Sequence, residues 1–130
     1  MTIRPIRELG DPVLRTPADE VRAFDGWLAM LVRDLEETVD HPGRAGLAAP
    51  QIGVSVRVFS YNIDGVIGHM VNPVITELSE EIQDGDEGCL SVPGYSFPLK
   101  RAEWVRIAGF DPAHRQRGRG SGAGCKRRDS

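Results

Sequence analysis

The chemically capable residues of this 130-residue chain are few: two cysteines, three histidines and a glutamine set in a small-residue loop. Cys89 lies in Glu87-Gly88-Cys89-Leu90-Ser91, between a glycine and a leucine and beside a carboxylate. A thiol there reads either as a metal ligand or nucleophile, or as a small buried hydrophobe. With Cys125 as the second cysteine, there are too few for a disulfide framework or a four-cysteine zinc site. A metal on Cys89 would need histidine or carboxylate partners. A nucleophilic Cys89 would need a base within hydrogen-bond reach, and no partner histidine is identifiable. The histidines are His41, His69 and His114, and no two stand four apart. Gly46-Leu47-Ala48-Ala49-Pro50-Gln51-Ile52-Gly53 reads as a loop whose backbone something approaches closely. Its glycines allow close contact, its paired alanines keep the wall thin, and Gln51 adds an amide donor. A tight structural turn is the competing reading.

These residues must be positioned by an α+β fold. Asp11-Pro12 and Thr16-Pro17 make the opening segment extended and irregular. Leu28, Leu31, Leu35 and Val39 recur at helical spacing with Val32 beside them, so a helix is expected from Gly26 to Asp40, with Asp25 as its N-cap. Pro42 and Gly43 end it. Strands are expected at Val54–Phe59, in a run from the Asp64-Gly65 turn to Val71, at Val74–Thr76 beyond an Asn72-Pro73 interruption, and at Ala102–Phe110. One helix followed by several short strands predicts a mostly antiparallel sheet with an N-terminal helix.

Composition bounds the rest. The length fits at most one domain of roughly 100–200 residues. No apolar run approaches the roughly 18 residues of a membrane span, and the N-terminus has no signal-peptide core, so a cytoplasmic location is expected. The net charge of −3 conceals a split. Residues 1–110 carry 10 basic and 17 acidic residues, a balance of −7, whereas 111–130 carry 6 and 2, a balance of +4. Residues 111–130 contain no Val, Ile, Leu, Met, Phe, Trp or Tyr, and such a segment is expected to be a disordered basic tail.

Taken together, Arg44-Ala45-Gly46-Leu47-Ala48-Ala49-Pro50-Gln51 and Glu87-Gly88-Cys89-Leu90-Ser91 resemble the first two signature motifs of the peptide deformylase family. Asp11-Pro12-Val13-Leu14-Arg15, Asn72-Pro73 and Lys100-Arg101-Ala102-Glu103 add to the likeness, which covers about residues 1–111. The resemblance implies a metal-dependent amide hydrolase that removes the formyl group from the N-terminal methionine of newly made proteins. It implies Fe²⁺, or Zn²⁺ or another divalent ion, held by Cys89 and two histidines. It also implies Gln51 and the Leu90 N–H as oxyanion donors, Ala45 and Gly46 along the substrate main chain, and Glu87 holding local structure. A metal makes hydroxide available near neutrality, and preorganised donors stabilise the tetrahedral oxyanion. The partners so implied are N-formyl-methionyl nascent peptides, with no membrane and no sequence-specific nucleic acid.

Two departures qualify this. Arg44 stands where the family has the first glycine of its loop, and arginine there would strain the loop or narrow the cleft. The family's third motif, H-E-x-x-H, which supplies two metal ligands and the general base from a C-terminal helix, is absent from the sequence. His41 is expected to cap or lie beside the first helix, His69 to lie in a strand, and His114 to fall in the tail. None of the three is expected to replace a ligand. The tail's Arg, Gly, Ala, Ser and Pro content is what out-of-frame reading of a GC-rich gene yields. The expectation is therefore an incomplete deformylase-like domain, weakly active or inactive as written. The alternatives are a non-catalytic formyl-peptide-binding relative and a ribosome- or RNA-associated protein acting through the basic tail.

Overall fold

The computed structural model describes the backbone of residues 3–102, 104–122 and 126–129. Its side chains are described over these ranges except at 87, 94–97, 99, 101, 102, 117–122 and 126–129. Glu103, Cys125 and the side chain of Glu87 lie outside them.

Among the described residues one α-helix, α1 (Gly26–Val39), precedes eight strands: β1 (Gly46–Ala48), β2 (Val58–Ile63), β3 (Val66–Leu78), β4 (Ile82–Cys89), β5 (Val92–Ala102), β6 (Trp104–Phe110), β7 (Gln116–Gly122) and β8 (Lys126–Asp129). Their pairing is antiparallel throughout, in a sheet ordered β1-β2-β3-β6-β7-β8 and a separate β4-β5 hairpin. The fold is α+β with an antiparallel sheet and one helix, as expected.

The helix starts where the sequence says it should. Asp25 stays extended, and its carboxylate accepts from the Leu28 N–H at 3.3 Å, which satisfies a donor the helix cannot use internally. Leu28, Leu31, Val32, Leu35 and Val39 are all buried against Leu47, Ile52, Val58 and Val71. Burial of each such side chain contributes roughly 1.5–3 kcal/mol, so this face holds the helix to the sheet. Buried Ser60 adds a polar tie: its hydroxyl donates to Leu35 O at 3.1 Å and reaches Leu47 O at 3.4 Å, linking α1, β1 and β2.

Several boundaries differ from the sequence reading. Val54–Arg57 does not join the ladder. Val54 and Val56 instead lean on the core, Val56 bridges to Asp19, and the strand begins at Val58. Alternation there reports burial without pairing. Asn72-Pro73 does not divide two strands, because β3 passes through it with a register shift between Val71 and Val74. Asn72 takes φ +50°, and its amide clamps the Val21 backbone, accepting from the N–H at 2.8 Å and donating to the carbonyl at 2.9 Å. The acidic residues leading into Cys89 form strand β4, which the sequence reading did not place. The sheet also runs on past Phe110, departing from the expectation of a disordered segment from 111. Asp111 is buried and accepts from the Ala113 and Arg115 N–H groups and from Arg115 Nε, which closes a turn. The backbone of Gln116–Gly122 then pairs with β6, and a ladder of backbone bonds needs no apolar side chains.

Candidate functional site

Two chain segments meet to make the candidate site. The first is not a plain loop. Gly46–Ala48 is strand β1, and Ala49–Ile52 is a 3-10 turn closed by Gly53 at φ +88°. Within it Gln51 folds its side chain back, and Oε1 accepts from the Ala48 N–H at 2.9 Å. That bond satisfies the start of the turn and aims the amide nitrogen outward. The second segment is the end of β4 and the tight turn after it. Cys89 is the last residue of β4, paired with Val92 across the Leu90-Ser91 turn after a register shift at Gly88.

The two segments are joined by side chains. Gln51 Nε2 donates to Ser91 Oγ at 3.1 Å and lies 3.7 Å from Cys89 Sγ. Ser91 is buried, Cys89 is free and exposed, and Leu90 packs on the core. The spacing of the two motifs therefore places an amide donor and a thiol together at an accessible corner. Sequence reasoning missed the Ser91 hydroxyl as the connecting group, although it stood inside the second motif.

Gly46 lies on β1, the edge strand of the main sheet. The Asn62 N–H donates to Ala45 O at 2.9 Å, and Gly46 is opposite Tyr61. Because hydrogen-bonded and non-bonded pairs alternate in an antiparallel ladder, the Gly46 N–H and C=O face away from β2. A Cβ at Gly46 would meet only Ser60 O, at 3.8 Å, and its φ is not left-handed. Among the described residues nothing requires glycine there. Exposed Ala45 precedes it with only a methyl side chain.

Arg44 neither strains nor narrows this loop. Its φ is not in the left-handed region, and its guanidinium turns back to donate to Thr38 O, in the last turn of α1, at 2.6 Å. A cation on the exposed carbonyls of a helix end is favourable. The expected cost of replacing glycine is therefore absent.

The histidines are dispersed. His41 lies at the end of α1, beside a surface cavity of about 520 Å³ also lined by Arg44 and Asn62. His69 Nδ1 is 3.4 Å from Glu36 Oε1 on the helix. His114, placed by the sequence reading in a disordered tail, instead stacks on Phe24 and Phe110 with ring centroids 4.4 and 4.8 Å away. Among the described residues no three His, Cys, Asp or Glu side chains converge. A catalytic metal centre takes three protein ligands and an open position. Cys89 alone does not fit one.

The N-terminal segment supports both halves of the site. The Arg7 N–H donates to Gln51 O at 2.6 Å and the Leu9 N–H to Ser91 O at 2.8 Å. Arg7 Nη1 pairs with Asp11 Oδ2 at 3.0 Å. The Val13 N–H and then the Arg7 guanidinium hold the Asp11 carboxyl below its ordinary value.

Against known proteins, the profile of the polypeptide deformylase family matches residues 3–122. A peptide deformylase of Acidothermus cellulolyticus is 61% identical over 111 residues, which is 85% of this chain and 61% of that protein. One from Parafrankia sp. is 54% identical over 110 residues, covering 84% of this chain and 60% of that protein. The chain thus spans about three fifths of the length of these relatives. Among solved structures, the peptide deformylase of Thermotoga maritima superposes with a TM-score of 0.88 at 31% identity, over 95% of this chain and 84% of its own. That of Legionella pneumophila gives 0.88 at 36% identity, over 94% and 73%.

Proposed function

Since the chain belongs to the polypeptide deformylase family, we propose that it receives the N-formyl-methionyl end of a newly made polypeptide along β1. The open backbone of Gly46 carries this reading. An extended peptide added to that edge would bond to the Gly46 N–H and C=O, and Ala45 and Gly46 leave room for its main chain. Gln51 Nε2 then faces the formyl oxygen, with the Leu90 N–H as the second donor. In an amide hydrolysis these donors stabilise the oxyanion that forms as the formyl carbon becomes tetrahedral. Because that substrate is a product of translation, the cytoplasm is the proposed location.

Cys89 is the family's thiolate position, and the 130 residues contain no H-E-x-x-H segment. This chain by itself therefore binds formyl-peptides and hydrolyses them slowly or not at all. The experiment is to purify it with Fe²⁺ or Ni²⁺, measure bound metal, and titrate it with a formyl-methionyl peptide and the same peptide unformylated. Preference for the formylated peptide without turnover is the expected result. Equal affinity for the two peptides would overturn the binding reading. Turnover lost on Cys89→Ala would overturn the expectation of inactivity.

A further inference from the structure

We infer that the segment from Arg7 to Leu9, locked by the Arg7–Asp11 pair, is a clasp that positions Gln51 against the Cys89–Ser91 turn, with Arg7 as its positioning residue. The functional value of the clasp rests on the reading of Gln51 as formyl-oxygen donor. Its existence does not.

The argument begins with the backbone. Arg7 N–H and Leu9 N–H hold Gln51 O and Ser91 O, the carbonyls of the same two residues whose side chains meet at 3.1 Å. Two residues of chain span at most about 7 Å. One short stretch therefore limits how far the two halves of the site can separate. Gln51 and Ser91 stand 40 residues apart in sequence, and the β4-β5 hairpin that carries Ser91 forms its own sheet, outside the main ladder. A bond between two side chains alone would leave that hairpin free to pivot. The clasp adds a second tie through the backbone.

The Arg7 side chain sets where the clasp lies. A Cβ built on Gly53 would fall 2.8 Å from Arg7 Nη2 and 3.1 Å from Nε. The guanidinium therefore sits directly on the glycine that closes the turn bearing Gln51. Gly53 at φ +88° supplies both the left-handed end of that turn and the space for the arginine. Asp11 fixes the guanidinium from the other side at 3.0 Å while its second oxygen accepts from the Val13 N–H at 3.0 Å. Asp11 thus orients Arg7, Arg7 seats the turn, and the turn aims Gln51.

The test uses the full chain labelled with ¹⁵N. In the unmodified protein the Arg7 and Leu9 amide protons should exchange at least about tenfold more slowly than in an open chain, since their opening breaks the clasp. Exchange at open-chain rates would overturn the inference without any variant. Arg7→Met should move the Gln51 side-chain amide resonances and weaken formyl-peptide binding about fivefold, the effect of about one lost hydrogen bond. Arg7→Lys should restore part of both. Asp11→Asn, which keeps an acceptor for the Val13 N–H, should shift the same Gln51 resonances. Gln51 resonances unmoved in both Arg7→Met and Asp11→Asn would overturn the inference. If neither variant folds, the exchange measurement decides. A clasp that is protected in a chain without preference for formylated peptide would sink the functional reading and leave the clasp standing.

Discussion

Gln51 Nε2 donates to Ser91 Oγ at 3.1 Å, and through this bond the turn after β1 meets the end of β4 beside Cys89. The amide is held at its other end by Ala48, so it is pre-aimed before any ligand arrives. Ser91→Ala should cost about 1 kcal/mol of stability, the net worth of one buried hydrogen bond, measured by urea unfolding. It should leave the preference for formylated over unformylated peptide in place, because the Ala48 bond still directs Gln51. Gln51→Leu should erase that preference. Survival of the preference in Gln51→Leu would remove Gln51 from its assigned role.

Two glycines separate folding from function. A Cβ at Gly109 would come within 2.5 Å of Met70 Cγ and 2.8 Å of Val71 O. Backbone cannot yield cheaply, so Gly109→Ala should destabilise by roughly 1–3 kcal/mol through overpacking. At Gly46 a Cβ has room on the folded chain, and Gly46→Ala should leave stability within about 0.5 kcal/mol of the parent or raise it slightly. Its methyl would stand on the edge where a peptide strand docks, and formyl-peptide affinity should fall. Thermal unfolding and peptide titration of both variants check the pair. A Gly46→Ala variant that binds as the parent does would show that the β1 edge is not the docking strand.

What was legible in the sequence followed from side chains that bury. Leu28, Leu31, Leu35 and Val39 announced α1 because helical spacing and core contact are the same fact seen twice. The two motifs announced Gln51 and Cys89 because their residue types are chemical. β4 was not legible. Gln83, Asp84, Gly85 and Asp86 show no apolar alternation, since the β4-β5 hairpin lies outside the main sheet and Ile82 is left exposed. The clasp was illegible for a different reason. Backbone N–H groups at Arg7 and Leu9 bond to remote carbonyls, and such bonds leave no residue signature. The short length of β1 hid it in the same way, because three residues are too few to show a period.

Arg44 is a case in which the sequence suggested the wrong sign. Replacing a family glycine by arginine suggested strain, yet Arg44 lies outside the left-handed region and caps α1 through Thr38 O. Arg44→Gly should therefore destabilise rather than relieve. Loss of the cap bond and the added freedom of glycine in the unfolded chain together cost about 1–2 kcal/mol. Chemical denaturation gives the comparison, and a more stable Arg44→Gly variant would restore the strain argument.

Asp11 gives the clasp a pH dependence whose sign can be worked out. The Val13 N–H and the Arg7 guanidinium favour its charged form, so its folded value lies below the ordinary carboxylate value of 3.8. A lowered folded value means the folded state holds the carboxylate more readily than the unfolded chain does. The stabilisation is then fully present above 3.8 and is lost as pH falls through the lower folded value. The stability difference between the parent and Asp11→Asn should be largest near pH 6 and shrink as pH falls below 3.8. The pair is exposed, so the difference should also shrink as salt is raised at pH 6. Urea unfolding of both proteins across pH 2.5–6 measures it. A difference that stays constant with pH would mean that Asp11 acts only as an uncharged acceptor for Val13, and that its charge does not hold Arg7 over the Gln51 turn.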